Sequence, residues 1–226
     1  MFLHAQIQKF SGWGLAMNTL KIDSSFSIFF DAQIRSSDEW SQTETIIFRP
    51  GLAYFFDKNV SFTLGIVYIE NWKSVGMVRD GVTDNRLWQQ LIVNKPKPHR
   101  ILQHRLRLEE RRIPILLVQN NELVKSNQQF NARFRYFTRY MTTFSKAKTL
   151  SKGIYVAFQN EFFFNTLGSK FANNKVFDQS RTYAGIGYRF GKTLDLEFGY
   201  MLQYIEGKSN TYTTNNILQL SSFLRL

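Results

Sequence analysis

The chain has 226 residues, of which 43% are hydrophobic, 16% aromatic and 20% charged, so it is too apolar for intrinsic disorder and suits one domain or two small ones. It has no cysteine, which excludes disulfide scaffolds, thiolate zinc sites and cysteine nucleophiles, and no apolar run reaches the roughly 18 residues of a membrane-spanning helix. Lys and Arg number 29 against 17 Asp and Glu, a net charge of +12 that suits nucleic acid, anionic lipid or an anionic solute as partner.

Residues 1–6, MFLHAQ, resemble the tail of a secretory signal, with a small residue, Ala5, just before Gln6. The charged start and longer apolar stretch of a complete signal are missing. Residues 1–11 are therefore read as a signal-peptide remnant or N-terminal lead-in, and 12–226 as a single domain.

From there the dominant period is two. A first strand is expected at about 12–22. Residues 25–35 then place Phe26, Ile28, Phe30, Ala32 and Ile34 on one face, against Ser27, Asp31, Gln33 and Arg35. Successive strand side chains point to opposite faces, so this reads as a two-faced sheet. A weaker segment at 43–56 carries Arg49, and its Pro50-Gly51 reads as a bulge or kink, because proline cannot donate to the ladder. Residues 60–68 alternate again, and 84–95 form another weak segment that carries Arg86.

Further along, residues 100–111 set Leu102, His104, Leu106 and Leu108 against Arg105, Arg107 and Glu109. Residues 129–140 set Phe130, Ala132, Phe134 and Tyr136 against Arg133, Arg135 and Arg139. Residues 153–164 carry Glu161 on the polar side, 179–190 carry Arg181 and Arg189, and 194–204 carry Asp195 and Glu197. A last stretch at 214–226 makes eleven candidate strands. At about 10–13 residues each, they match membrane-crossing strands better than ordinary globular ones.

Connections alternate in length. Residues 57–59, 95–99 and 191–193 read as short turns, with 145–152 an intermediate case on that side; 72–83, 113–127, 165–177 and 206–213 read as longer links. Short turns on one side and long loops on the other suit an outer-membrane barrel. The polar face is rich in Arg, Gln and Asn, whereas Lys gathers in turns, for example Lys58, Lys95, Lys146, Lys148 and Lys192. Arginine tolerates burial in bidentate pairs better than lysine, so the polar face reads as an enclosed lumen. The apolar face is too extensive for a soluble monomer and is assigned to lipid, with the closed sheet satisfying its own backbone. Tyr54, Trp72, Trp88, Tyr140, Tyr200 and Tyr204 are candidates for interfacial girdles. The expected fold is an all-β, up-and-down antiparallel transmembrane barrel of 10–12 strands, with 12 favoured because both ends then lie on the periplasmic side.

Several stretches in order, Phe48-Arg49-Pro50-Gly51-Leu52-Ala53-Tyr54, Asn85-Arg86-Leu87-Trp88-Gln89-Gln90, Leu102 to Glu109, Phe177-Asp178-Gln179-Ser180-Arg181, Tyr183 to Phe190 and Gly199 to Tyr204, resemble the domain-of-unknown-function 2490 family of bacterial outer-membrane β-barrels. The resemblance implies an outer-membrane location in a Gram-negative bacterium, reached through a signal peptide largely missing from this chain. It implies no activity and no catalytic residue. The ending Phe223-Leu224-Arg225-Leu226 departs from the terminal aromatic residue of barrel insertion signals.

The lumen-facing candidates are Asp31, Arg35, Arg49, Arg86, Arg105, Arg107, Glu109, Arg133, Arg135, Arg139, Glu161, Arg181, Arg189 and Glu197. The favoured expectation is a largely filled lumen in which these arginines pair with Asp31, Glu109, Glu161, Asp195 and Glu197, in a barrel of structural or accessory role. One alternative is a narrow anion-selective channel or small-solute transporter lined by an arginine ladder. Another is a lipid-modifying hydrolase with His104 as base, although no Ser lies two residues from it. An enzyme is not expected, nor is any metal or cofactor. Asp80-Gly81 and Asp84-Asn85 read as turn chemistry. Membrane lipid is the expected partner and other outer-membrane proteins are candidates. Neither nucleic acid nor a known small-molecule substrate is indicated.

Overall fold

A computed structural model describes residues 6–143, 151–209 and 211–226. The reading of residues 1–5 as a signal remnant, and of Lys146 and Lys148 as turn lysines, lies outside the described residues. Eleven strands are described: β1 (Gln6–Lys21), β2 (Phe26–Ser36), β3 (Thr43–Phe55), β4 (Val60–Val75), β5 (Val78–Lys97), β6 (Arg100–Gln119), β7 (Glu122–Thr143), β8 (Gly153–Leu167), β9 (Phe177–Arg189), β10 (Leu194–Glu206) and β11 (Tyr212–Arg225). Because β1 begins at Gln6, residues 6–11 belong to the sheet rather than to a lead-in.

The sheet closes on itself in chain order, with β1 beside both β2 and β11. This corrects the expected twelve strands to eleven, and it also corrects the fully antiparallel pattern. With an odd number of up-and-down strands, the first and last run the same way, so closure requires one parallel pair. That pair joins β1 to β11 from Gln6–Tyr212 to Thr19–Arg225.

Strand alternation decides which side chains are enclosed. In β10, Asp195, Glu197, Met201 and Gln203 are buried, while Leu196, Phe198, Tyr200 and Leu202 are exposed. In β2, Ser27, Asp31 and Gln33 are buried and Phe26, Ile28 and Ile34 are exposed. The cylinder is thus polar inside and apolar outside, the inverse of a soluble core. Two small apolar clusters do lie within: Trp13, Tyr183, Met201 and Ile217, and Ile47, Val67, Ile69 and Trp88.

Trp88 corrects the girdle expectation, since it is 1% exposed and lies inside the barrel. Its place follows from Pro50. Pairing of β3 with β4 lapses between Phe48–Tyr68 and Gly51–Gly65, although the register on either side agrees. Proline offers no N–H to Ile66, and the Trp88 indole Nε1–H donates to the Ile66 carbonyl at 3.0 Å instead. The indole fits because Gly51 and Gly65 lie beneath it; a Cβ on Gly51 would meet the Trp88 ring at 2.8 Å. So Pro50 interrupts the ladder without a register shift.

Two of the expected long links are strand. Residues 72–83 continue β4 into β5 around a turn at 76–77, and 113–127 continue β6 into β7 around Asn120 and Asn121, both in the left-handed region. Beyond Arg111 the β6 strand has left β5 and pairs only with β7. The resulting ribbon is anchored to its neighbour, where Leu123 N–H donates to Asp80 Oδ2 at 3.3 Å and Lys125 Nζ to the Thr83 carbonyl at 2.5 Å. Asp80 and Asp84 therefore lie in β5, not in a turn. The short turns and long connections still segregate to opposite ends of the cylinder.

Candidate lumen site

Alternating positions of β2, β3 and β5 to β10 send charged side chains into the interior. Among the described residues, eleven enclosed arginines (35, 49, 86, 105, 107, 111, 133, 135, 139, 181 and 189) face seven enclosed carboxylates (31, 84, 109, 161, 178, 195 and 197). Burial of a charge is tolerated where it is paired and hydrogen-bonded. Most are so arranged. Glu109 accepts from Arg133 Nη2 at 2.7 Å, from Arg86 Nη1 at 3.3 Å and from Arg135. Arg86 also reaches Asp84 at 2.6 Å, and Arg133 reaches Asp178 at 3.0 Å. Glu161 accepts from Arg105 and Arg135, each at 2.7 Å.

Towards the short-turn end, Glu197 takes both Arg139 Nη groups and the Tyr183 hydroxyl at 2.9 Å. Asp195 takes Arg189 and Arg225, each at 2.7 Å. Asp31 pairs with Arg49 at 2.5 Å and accepts from the Gln33 amide at 2.9 Å.

Other arginines are held without a bonded carboxylate. Arg107 donates to Gln90 and lies over the Trp88 ring, with Glu109 at 3.9 Å. Arg111 donates to Asn131 and Asn165. Arg35 donates to Gln33 Oε1 at 2.6 Å and stacks on Trp13 at 3.9 Å. Arg181 stacks on Trp13 at 5.0 Å and on Phe163 at 4.7 Å, and its carboxylate neighbour Glu161 is 3.8 Å away. Such cation–π stacking holds a guanidinium in place while leaving its N–H edge free to donate.

The interior is not solid. A cavity of about 390 Å³ lies toward the long-connection end and another of about 590 Å³ toward the short-turn end. Trp13, Arg35, Arg49, Arg135 and Arg181 line both, so four arginines and one indole form the waist between them. Every sequence-predicted lumen residue is enclosed, and the waist gathers four of them. Trp13, Asp84, Arg111 and Asp178 were not among the predicted residues. Asp84 shares strand parity with Arg86 and Gln90, and Trp13 with Ser11, which is the signal that could have placed them inside.

His104 lies on the outer face, where Nδ1 is 2.9 Å from the Tyr136 hydroxyl and the rings stack. Among the described residues, no three His, Asp or Glu are grouped to hold a metal ion. Among the described residues, no helix is long and apolar enough to cross a membrane.

A closed strand cylinder with an apolar exterior, a charged interior and two internal cavities defines a porin-like β-barrel. The chain belongs to the family described as protein of unknown function DUF2490, whose match spans residues 10–214. Among solved structures, the chain is similar in fold to the NanC porin in a rhombohedral crystal form, with a TM-score of 0.51 and 10% sequence identity. That likeness covers 88% of this chain and 90% of the porin. No curated protein matches.

Proposed function

We propose that this chain is an integral outer-membrane barrel of a Gram-negative bacterium, and that its interior passes small anions through the arginine waist. The observation that carries the reading is the pair of cavities meeting at Trp13, Arg35, Arg49, Arg135 and Arg181. A purely structural barrel would gain by filling that space with its own side chains. The excess of arginine over carboxylate disfavours cations at the waist and favours anions. The exposed belt, including Ile28, Leu52, Leu64, Phe158, Ile186 and Phe198, supports lipid as the partner on the outside. An enzymatic role has no comparable support, because the outer-face His104 is engaged by Tyr136.

The test is reconstitution in planar bilayers under a KCl gradient. The expected reversal potential is that of a chloride-selective path, and replacing Arg35 and Arg181 by Gln reduces the selectivity. Folding is checked separately by heat-modifiable gel migration. Silent bilayers with folded protein overturn the anion passage and leave the structural or accessory role.

A further inference from the structure

The two cavities differ in a way that passage of inorganic anions does not require. The smaller is lined chiefly by charged and amide side chains. The larger has an arginine roof at the waist, but its walls toward the short turns carry Leu15, Met17, Phe29, Ile92, Phe137 and Phe223. Its lining continues down to the turn residues Lys58 and Asn59. A water-filled barrel interior is ordinarily polar, so an apolar wall enclosing open space calls for a ligand that covers it.

The roof is equally distinctive. Arg49 is only 5% exposed and spends one Nη on Asp31, leaving Nε with no hydrogen-bond partner. Buried Nε atoms of Arg35, Arg105 and Arg181 are likewise without partners. These four guanidiniums line the cavity, and a carboxylate is the acceptor that matches a guanidinium edge. The space, about 590 Å³, is within the range that holds a small organic ligand.

We propose that this vestibule binds amphiphilic organic carboxylates, with the anionic head at the Arg35, Arg49, Arg105 and Arg181 roof and the hydrocarbon tail along the apolar wall. The proposal deepens the anion-passage reading by naming its substrate class. Lys58 at the mouth adds positive charge where such a ligand enters.

The experiment is isothermal titration of the barrel in phosphatidylcholine nanodiscs with octanoate, 1-octanol and acetate, with empty nanodiscs subtracted. Octanoate is expected to bind saturably and at least tenfold more tightly than either of the others. Arg35→Gln, at a side chain that among the described residues hydrogen-bonds to Gln33 alone, and Leu15→Gln should each weaken octanoate several-fold, with folding verified by gel migration. Octanoate no tighter than acetate removes the role of the apolar wall, and octanoate no tighter than octanol removes that of the arginines; either result overturns the proposal. Binding is read without current. Octanoate bound by a non-conducting barrel sinks the passage and keeps the site, whereas a conducting barrel indifferent to octanoate does the reverse.

Discussion

Glu109→Gln removes the charge on which the interior network converges. Glu109 is 1% exposed, accepts from three arginines and has a fourth, Arg107, at 3.9 Å. Deleting one partner of a buried ion pair costs about 3–5 kcal/mol. Here the damage is unevenly shared, since Arg86 keeps Asp84, Arg133 keeps Asp178 and Arg135 keeps Glu161. Arg107 alone loses its nearest carboxylate, and the amide still accepts hydrogen bonds. The expected loss is therefore at the lower end, about 3 kcal/mol, or roughly a hundredfold in the unfolding equilibrium. Urea titration of the barrel folded in lipid vesicles, followed by tryptophan fluorescence and gel migration, measures it. Glu122→Gln, on an exposed strand end, serves as control and should stay within about 0.5 kcal/mol. A Glu109→Gln barrel as stable as that control would refute the idea that these arginines depend on one carboxylate.

Gly199→Ala should destabilise by about 1–3 kcal/mol in the same titration, because its Cβ would sit 2.5 Å from both the Tyr183 ring and the Ala184 carbonyl oxygen; adding Tyr183→Ala relieves the first clash and not the second, so the double change should cost somewhat less than the sum of the two single changes. Trp88→Phe keeps an aromatic ring but leaves the Ile66 carbonyl without its donor, for an expected loss of about 1–3 kcal/mol, again read from the urea midpoint. In the turn between β1 and β2, Asp23 accepts from the backbone N–H groups of Ser25 at 2.7 Å and Phe26 at 2.8 Å, which holds its carboxyl below the ordinary range. A carboxyl with a depressed folded pKa stabilises above its unfolded pKa, and that contribution fades as pH falls through the folded value. The stability gap between the protein and Asp23→Ala should thus be constant above about pH 5 and close below about pH 4.

Strand parity was legible because it is a local property. Ile28 and Asp31, or Glu197 and Phe198, lie on opposite faces whatever the rest of the chain does, and an apolar exterior with charge inside amplifies the alternation. The ribbons were not legible for the same reason. Residues 72–83 and 113–127 stand beyond the apolar belt, where both faces tolerate polar groups and the alternation weakens. Trp88 was misplaced by its residue type, although its parity with Arg86 and Gln90 pointed inward. The cavities could not be read at all. Whether Arg35 and Arg181 meet over Trp13 depends on strands far apart in sequence and on the stagger with which the sheet closes.

The pairing of β1 with β11 makes the barrel's last seam a long-range one. Ser11 and Asn215 share a hydrogen bond of 3.1 Å across it, 204 positions apart in sequence. Neighbouring hairpins can zip as they emerge, but this join waits for the eleventh strand. Until it latches, two long edges stand open, each able to template another copy. Sealing is therefore the step at which a chain commits to a solitary cylinder or is stitched to a sibling, and a substitution that slows β11 would register first as ladders of linked barrels.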